Sequence, residues 1–203
     1  ADYYHVDVFS EEYWKILENY FKEYVKRGCN MMLTPLFTSP LDTAVGLERT
    51  TTQLIKVEVV KGEYRFDFSE LKRWIDLCKK CGIEYYEMSH LFSQWGAKYA
   101  PKVVAEVDGK EEKIFGWHTP AVGEYTRFLK AFLPQLIEKL KEWNIDQVTY
   151  FHISDEPREE HLESYRAAKE SLGNMLDGFH TFDALSSYEF YRHGLIDKPI
   201  PGN

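Results

Sequence analysis

The chain has little of what several large protein classes require. It has no basic stripe, and its net charge is −8. A nucleic-acid partner therefore has no footing. No apolar run approaches the roughly 20 residues of a membrane span. Cysteine is scarce, with Cys29, Cys78 and Cys81 the only three in 203 residues. The last two spell C-K-K-C, but no second CxxC or HxxxH pair completes a ligand set. No metal and no cofactor is expected, and the thiols read as free and buried or half-buried. The chain opens at Ala1 with neither an initiator Met nor a signal-peptide pattern. A processed or excised chain is expected, and the compartment is not written in it. Linkers, low-complexity segments and short repeats are absent too, so one domain is expected.

What is present is a large core. Hydrophobic residues make up 44% of the chain and aromatics 16%, ample for a single sizeable domain. Ser10 reads as the N-cap of a helix with Trp14, Leu17, Phe21, Tyr24 and Val25 at helical spacing, ending at Gly28. "NMMLTPLFT" (30–38) is a buried strand broken by Pro35. "TTQLIKVEVVKGEYRFDFS" alternates on both sides of Lys61-Gly62 and predicts a hairpin. Ser69 is expected to cap a second helix carrying Leu71, Trp74, Ile75 and Cys78, followed by the strand "IEYYEM". A long connection then holds a second hairpin, "VVAEVDGKEEKIF", with an Asp-Gly turn. In the next helix, Pro134 is expected to kink or split it. "QVTYFHI" and "FHTFDAL" are further strands, separated by a helix.

Helix and strand alternate, and both hairpins follow a strand. This points to a (β/α)8 barrel of TIM type, where strand C-termini carry the functional loops. A complete barrel needs eight units in about 250 residues. About four strands are countable here, so a partial barrel is expected, roughly strands two to five, with hairpin insertions in the βα loops. Its open sheet edges predict self-association, or cover by another segment or domain.

On that reading the chemically active residue types fall at strand C-termini. Thr34, Asp42 and Arg49 follow the first strand. His90, Gln94 and Trp95 follow the second, with Trp117 and His118 closing its loop. His152, Asp155 and Glu156 end the third, and Asp183 the fourth. Acids with loop tryptophans suit a carbohydrate, because aromatic faces pack on sugar C–H bonds while carboxylates and histidines bind hydroxyls. Adjacent residues on an extended strand point in opposite directions. Asp155 and Glu156 therefore cannot be a pair flanking one glycosidic bond at about 5 Å. A geometry that fits has Glu156 as the acid and Asp155 holding a substrate acetamido group, with the crowded charges keeping Glu156 protonated. The alternative is a helix N-cap at Asp155 with Pro157 at N1. Likewise His152 alone reads as a core histidine and Trp117 as packing; Trp74 and Trp143 are core or helix packing.

"NMMLTPLFTSPLDT", "ERTTTQLIKV", "HLFSQWGAKYAPK", "FGWHT", "FHISDEP" and "DALS" together resemble the catalytic domain of glycoside hydrolase family 123. They are closer still to bacterial proteins that share this domain under an unknown-function label. The likeness runs from about Ser10 to Pro199. It implies a TIM-barrel β-N-acetylgalactosaminidase acting by substrate-assisted retention, with residues 1–203 forming one truncated catalytic domain. By position in the motifs it implies Glu156 as general acid/base and Asp155 as the acetamido-orienting residue. Asp42, Arg49, His90, Trp95, Trp117, His152 and Asp183 are implied around the sugar. Two other functions stay open. One is a retaining glycosidase with Glu156 as acid and a nucleophilic Glu elsewhere; the other is a non-catalytic carbohydrate-binding fragment.

Overall fold

The computed structural model describes residues 2–201. Helix α1 (Glu11–Lys26) starts where the sequence predicts, with Ser10 Oγ accepting the Tyr13 N–H at 3.2 Å. Strand β1 (Met31–Thr34) stops at Pro35. Strands β2 (Lys56–Val60) and β3 (Glu63–Asp67) form the first hairpin. Its Lys61-Gly62 turn has both residues left-handed, as a two-residue turn of this twist requires. Helix α2 (Ser69–Cys81) departs slightly from expectation. Ser69 is its first residue rather than its cap, and Asp67 Oδ1 accepts the Ser69 N–H at 2.8 Å. After β4 (Tyr85–Met88), the second hairpin pairs β5 (Val103–Val107) with β6 (Lys110–Phe115).

Helix α3 (Glu124–Glu142) runs unbroken through Pro134, against the expectation of a split. Pro134 and Lys130, whose carbonyl loses its usual donor, are both exposed, on the side of the helix where solvent can replace a lost donor. The chain then adds β7 (Thr149–Phe151), α4 (Leu162–Ser171), β8 (His180–Leu185), α5 (Glu189–Arg192) and β9 (Lys198–Pro201).

The main sheet is wholly parallel, in the order β1-β4-β7-β8-β9. The sequence predicts four of these strands. The fifth, β9, is hidden in "KPIP", whose two prolines argue against a strand; as an edge strand it tolerates their missing donors. The sheet is open, and no closed barrel forms among the described residues. The two hairpins unite into a second sheet, β3-β2-β5-β6, through parallel pairing of Glu58 and Val59 with Glu106 and Val107. Tyr64, Phe66 and Phe68 pack on Phe128 and Phe132 of α3, with Phe37 and Phe115 alongside. That aromatic layer anchors the hairpin sheet beside the strand ends. Cys78 is buried, Cys29 and Cys81 are half-buried, and all three are free thiols. No helix among the described residues is long and apolar enough to cross a membrane.

Candidate active site

Past the C-terminal ends of β4 and β7 the chain keeps running in parallel. Leu91, Phe92 and Trp95 N–H groups donate to the carbonyls of His152, Ile153 and Asp155 at 3.0, 3.0 and 2.9 Å. Ser154 Oγ donates to the Ser93 carbonyl at 2.8 Å. Tyr125 on α3 ties the Leu91 carbonyl from below at 2.7 Å. Two loops are thus stitched into one rim, and Asp155 and Glu156 stand on it.

Asp155 is half-buried, and its Oδ2 accepts a hydrogen bond from Gln94 Nε2 at 3.0 Å. The other end of that amide, Oε1, accepts the Asp42 N–H at 2.6 Å, which fixes which way Gln94 points. Asp155 is not a helix cap. The next helical turn begins only at Glu159, where the Arg158 N–H donates to His161 Nδ1 at 3.1 Å. Burial, with the Glu156 charge beside it, pushes the Asp155 carboxyl up to about 6, against an opposing pull from His152. Asp155 is the carboxyl of the two that has lost water. Glu156 is exposed.

The rim is locally strained. Asp42, Trp95, Ala97 and Glu156 all have left-handed backbone, with φ of 50°, 57°, 54° and 44°. Each such non-glycine residue costs on the order of 1 kcal/mol, and the arrangement holds only because its surroundings fix it. Gly96, between two of them, has φ 110°, and a Cβ there would lie 2.8 Å from His161 Cγ. Its carbonyl accepts a 2.7 Å bond from Ser164 Oγ on α4.

Beneath the rim lies a buried polar chain. His152 meets Glu87 Oε1 through Nε2 at 2.6 Å and Asp183 Oδ1 through Nδ1 at 2.8 Å. Asp183, with no exposed surface, also accepts from the Ile153 and Ser154 N–H groups at 3.1 and 3.2 Å and from the Tyr165 hydroxyl at 2.5 Å. Burial opposes the His152 charge, but hydrogen bonds to Asp183 and Glu87 outweigh it and raise the imidazole to about 9. Burial also pushes the Asp183 carboxyl up. Its four donors nevertheless hold it as the acceptor, so the pair is a carboxylate with an imidazolium. His90 stacks on His152, and burial and that neighbouring charge drive it well below its usual range.

Neither His152 nor Asp183 therefore has a polar atom left for a sugar hydroxyl. The expected direct contact is replaced by a supporting position, because burial and saturation leave no room for a ligand. His90, His152 and Asp183 lie close enough together to suggest a metal cluster. The His152 nitrogens, however, are each spent on a carboxylate at hydrogen-bond distance, and its ring carries a proton, so this set does not suit a metal. Arg49 and Trp117 line a small pocket with Thr38, Pro40, Leu47 and Lys102. There Trp117 Nε1 donates to the Leu47 carbonyl at 2.9 Å. No hydrogen bond, ion pair or ring contact among the described residues joins them to Asp155 or Glu156. Trp95 is on the rim itself and 38% exposed, leaving surface for a ligand.

The family model for the glycoside hydrolase 123 catalytic domain matches residues 1–203. The chain belongs to this family. A solved structure, of a family 123 glycoside hydrolase from Clostridium perfringens described in terms of glycolipid glycan hydrolysis, superposes with a TM-score of 0.67 at 20% identity. The alignment covers 96% of this chain and 34% of that one, so this chain spans about a third of its length. At that identity the likeness shows the shared fold. No curated protein sequence matches.

Three residues of this candidate site carry no assigned role in the sequence reading. Glu87 is an acid inside the short apolar strand "YYEM", which could have flagged it. Gln94 stands out beside Trp95, but its bridging role needs two loops brought together. Tyr165 sits on a helix in an ordinary core position, and nothing local marks it.

Proposed function

We propose that this domain supplies the acid/base end of a β-N-acetyl-hexosaminidase site, of the N-acetylgalactosaminidase kind. It cleaves terminal β-linked sugars with retention, assisted by the substrate's own acetamido group. The open parallel sheet is read as an arc of a TIM barrel, with β1 and β9 the edges where further strands or a second copy would add. The observation that carries the reading is the asymmetry of the two acids. Asp155 is half-buried and clamped through Oδ2 by Gln94, keeping Oδ1 for a ligand, while Glu156 is exposed on left-handed backbone.

In this mechanism the Asp155 carboxylate accepts the acetamido N–H and aligns the amide. The amide oxygen attacks the anomeric carbon as Glu156 protonates the departing glycosidic oxygen. Water, deprotonated by Glu156, then opens the cyclic intermediate at the anomeric carbon and restores both groups. The Trp95 face offers a platform for the ring. Because Asp155 must be ionised, kcat/KM should fall as pH drops through about 6.

Kinetics on two leaving groups test the assignment. Glu156→Gln should slow poor leaving groups by roughly 10²–10⁴-fold while sparing activated aryl glycosides. Asp155→Asn should slow both alike, since ring closure is required whatever departs. Equal, small effects from both would make the pair structural.

A further inference from the structure

His152 lies three residues before Asp155, and the structure encloses it on every side. Its edges meet two acids, Glu87 and Asp183. Its faces meet two rings: His90 at 4.1 Å and 27° on one side, Phe182 at 4.3 Å and 31° on the other. A neutral imidazole has one N–H, so one of its nitrogens would set a lone pair against a carboxylate oxygen. Asp183 cannot relieve this by keeping a proton, because Ile153, Ser154 and Tyr165 already donate to it. Saturated Asp183 calls for an N–H at Nδ1, the Glu87 carboxylate favours a second at Nε2, and a ring on each face suits a cation.

We propose that His152 is a positioning residue for the acetamido chemistry: a caged imidazolium whose fixed charge keeps neighbouring Asp155 in the carboxylate form. This rests on the acetamido role given to Asp155 above. The charges acting on Asp155 show why the device is needed. Glu156 on its own segment, Asp42 from the loop after β1 and Asp183 on β8 are all acids that oppose its ionisation. His152 is the cation set against them. The groups facing His152 itself are Glu87 on β4, His90 just beyond it, and Asp183 on β8, with Tyr165 of α4 bonded to Asp183. A cage that fixes a cation costs the ring its ability to bind substrate, and it places the charge where no solvent screens it.

The test pairs a spectroscopic reading with a kinetic one on the intact enzyme. Imidazole ¹⁵N NMR of the wild type should show His152 with two N–H groups up to pH 8 and His90 neutral throughout. In Glu87→Gln the pH at which His152 loses its proton should drop by about one unit. In His152→Gln the acid limb of kcat/KM should move up by about one pH unit. A His152 found neutral at pH 7, or an acid limb unmoved in folded His152→Gln, would overturn the proposal. The NMR arm decides the matter even if His152→Gln does not fold. Failure of the acetamido reading itself has another signature: Asp155→Asn would keep the wild-type rate while His152 stays a cation, and the link to Asp155 would then fall with it.

Discussion

Asp183 and Glu156 lie close to the same strand ends but live under opposite conditions. Asp183 has no exposed surface and four donors around its carboxylate. Glu156 is exposed and held on left-handed backbone. The same contrast separates floor from rim throughout. The floor (Glu87, His152, Asp183 and Tyr165) has its hydrogen bonds made, whereas the rim (Asp42, Trp95, Asp155 and Glu156) carries strain and unspent acceptors. The lesson is that the acids facing a ligand are kept reactive because the groups below them are not. A satisfied buried network is rigid, and rigidity lets the rim hold conformations it would otherwise relax.

Breaking the floor should have the largest effect. Asp183→Asn removes the carboxylate charge facing the His152 cation and turns one accepting oxygen into an NH2 group, so either Ile153 or Ser154 N–H loses its acceptor; a loss of about 3–5 kcal/mol is expected, read as a lowered urea midpoint. A change under 1 kcal/mol would show that the network is not the support described here. The seam between floor and rim comes next. Gly96→Ala puts a methyl group on His161 and a side chain on backbone at φ 110°. About 1–3 kcal/mol of destabilisation is expected, together with loss of activity as the Gln94–Trp95 loop shifts; unchanged Tm and rate would contradict the account.

The rim itself should respond least and with the opposite sign. The folded-state pKa of Asp155, about 6, lies above the unfolded value near 4, so ionising it in place costs stability. That cost is absent below about pH 4, grows between pH 4 and 6, and is fully expressed above pH 6. Asp155→Asn should therefore stabilise by about 1 kcal/mol at pH 7, allowing for its partial exposure to solvent, with the gain gone at pH 4. Thermal unfolding at the two pH values measures it.

The division between what the sequence discloses and what it hides follows range. Helices α1 to α4, four parallel strands and both hairpin turns were legible because periodicity and turn chemistry are local. So was the convergence of acids and aromatics at strand ends. Strand β9 was hidden by Pro199, and the joining of the hairpins by pairings such as Glu58 with Glu106 that lie far apart in the chain. Asp155 was locally compatible with a helix cap, and only the cross-loop bond to Gln94 reveals its actual partner. His152 and Asp183 were recognisable as important types, but their role depends on being enclosed, which no local pattern encodes.

Asp155 as the group that orients an acetamido nucleophile is the central claim, and a stable mimic of the cyclised intermediate tests it most directly. Calorimetric titration of an N-acetyl-hexosamine thiazoline into the intact enzyme should show tight binding that weakens by at least 10-fold in Asp155→Asn, since a hydrogen bond to a charged group contributes roughly 1.5–3 kcal/mol. Equal affinity in wild type and mutant, or no binding to either, would contradict it.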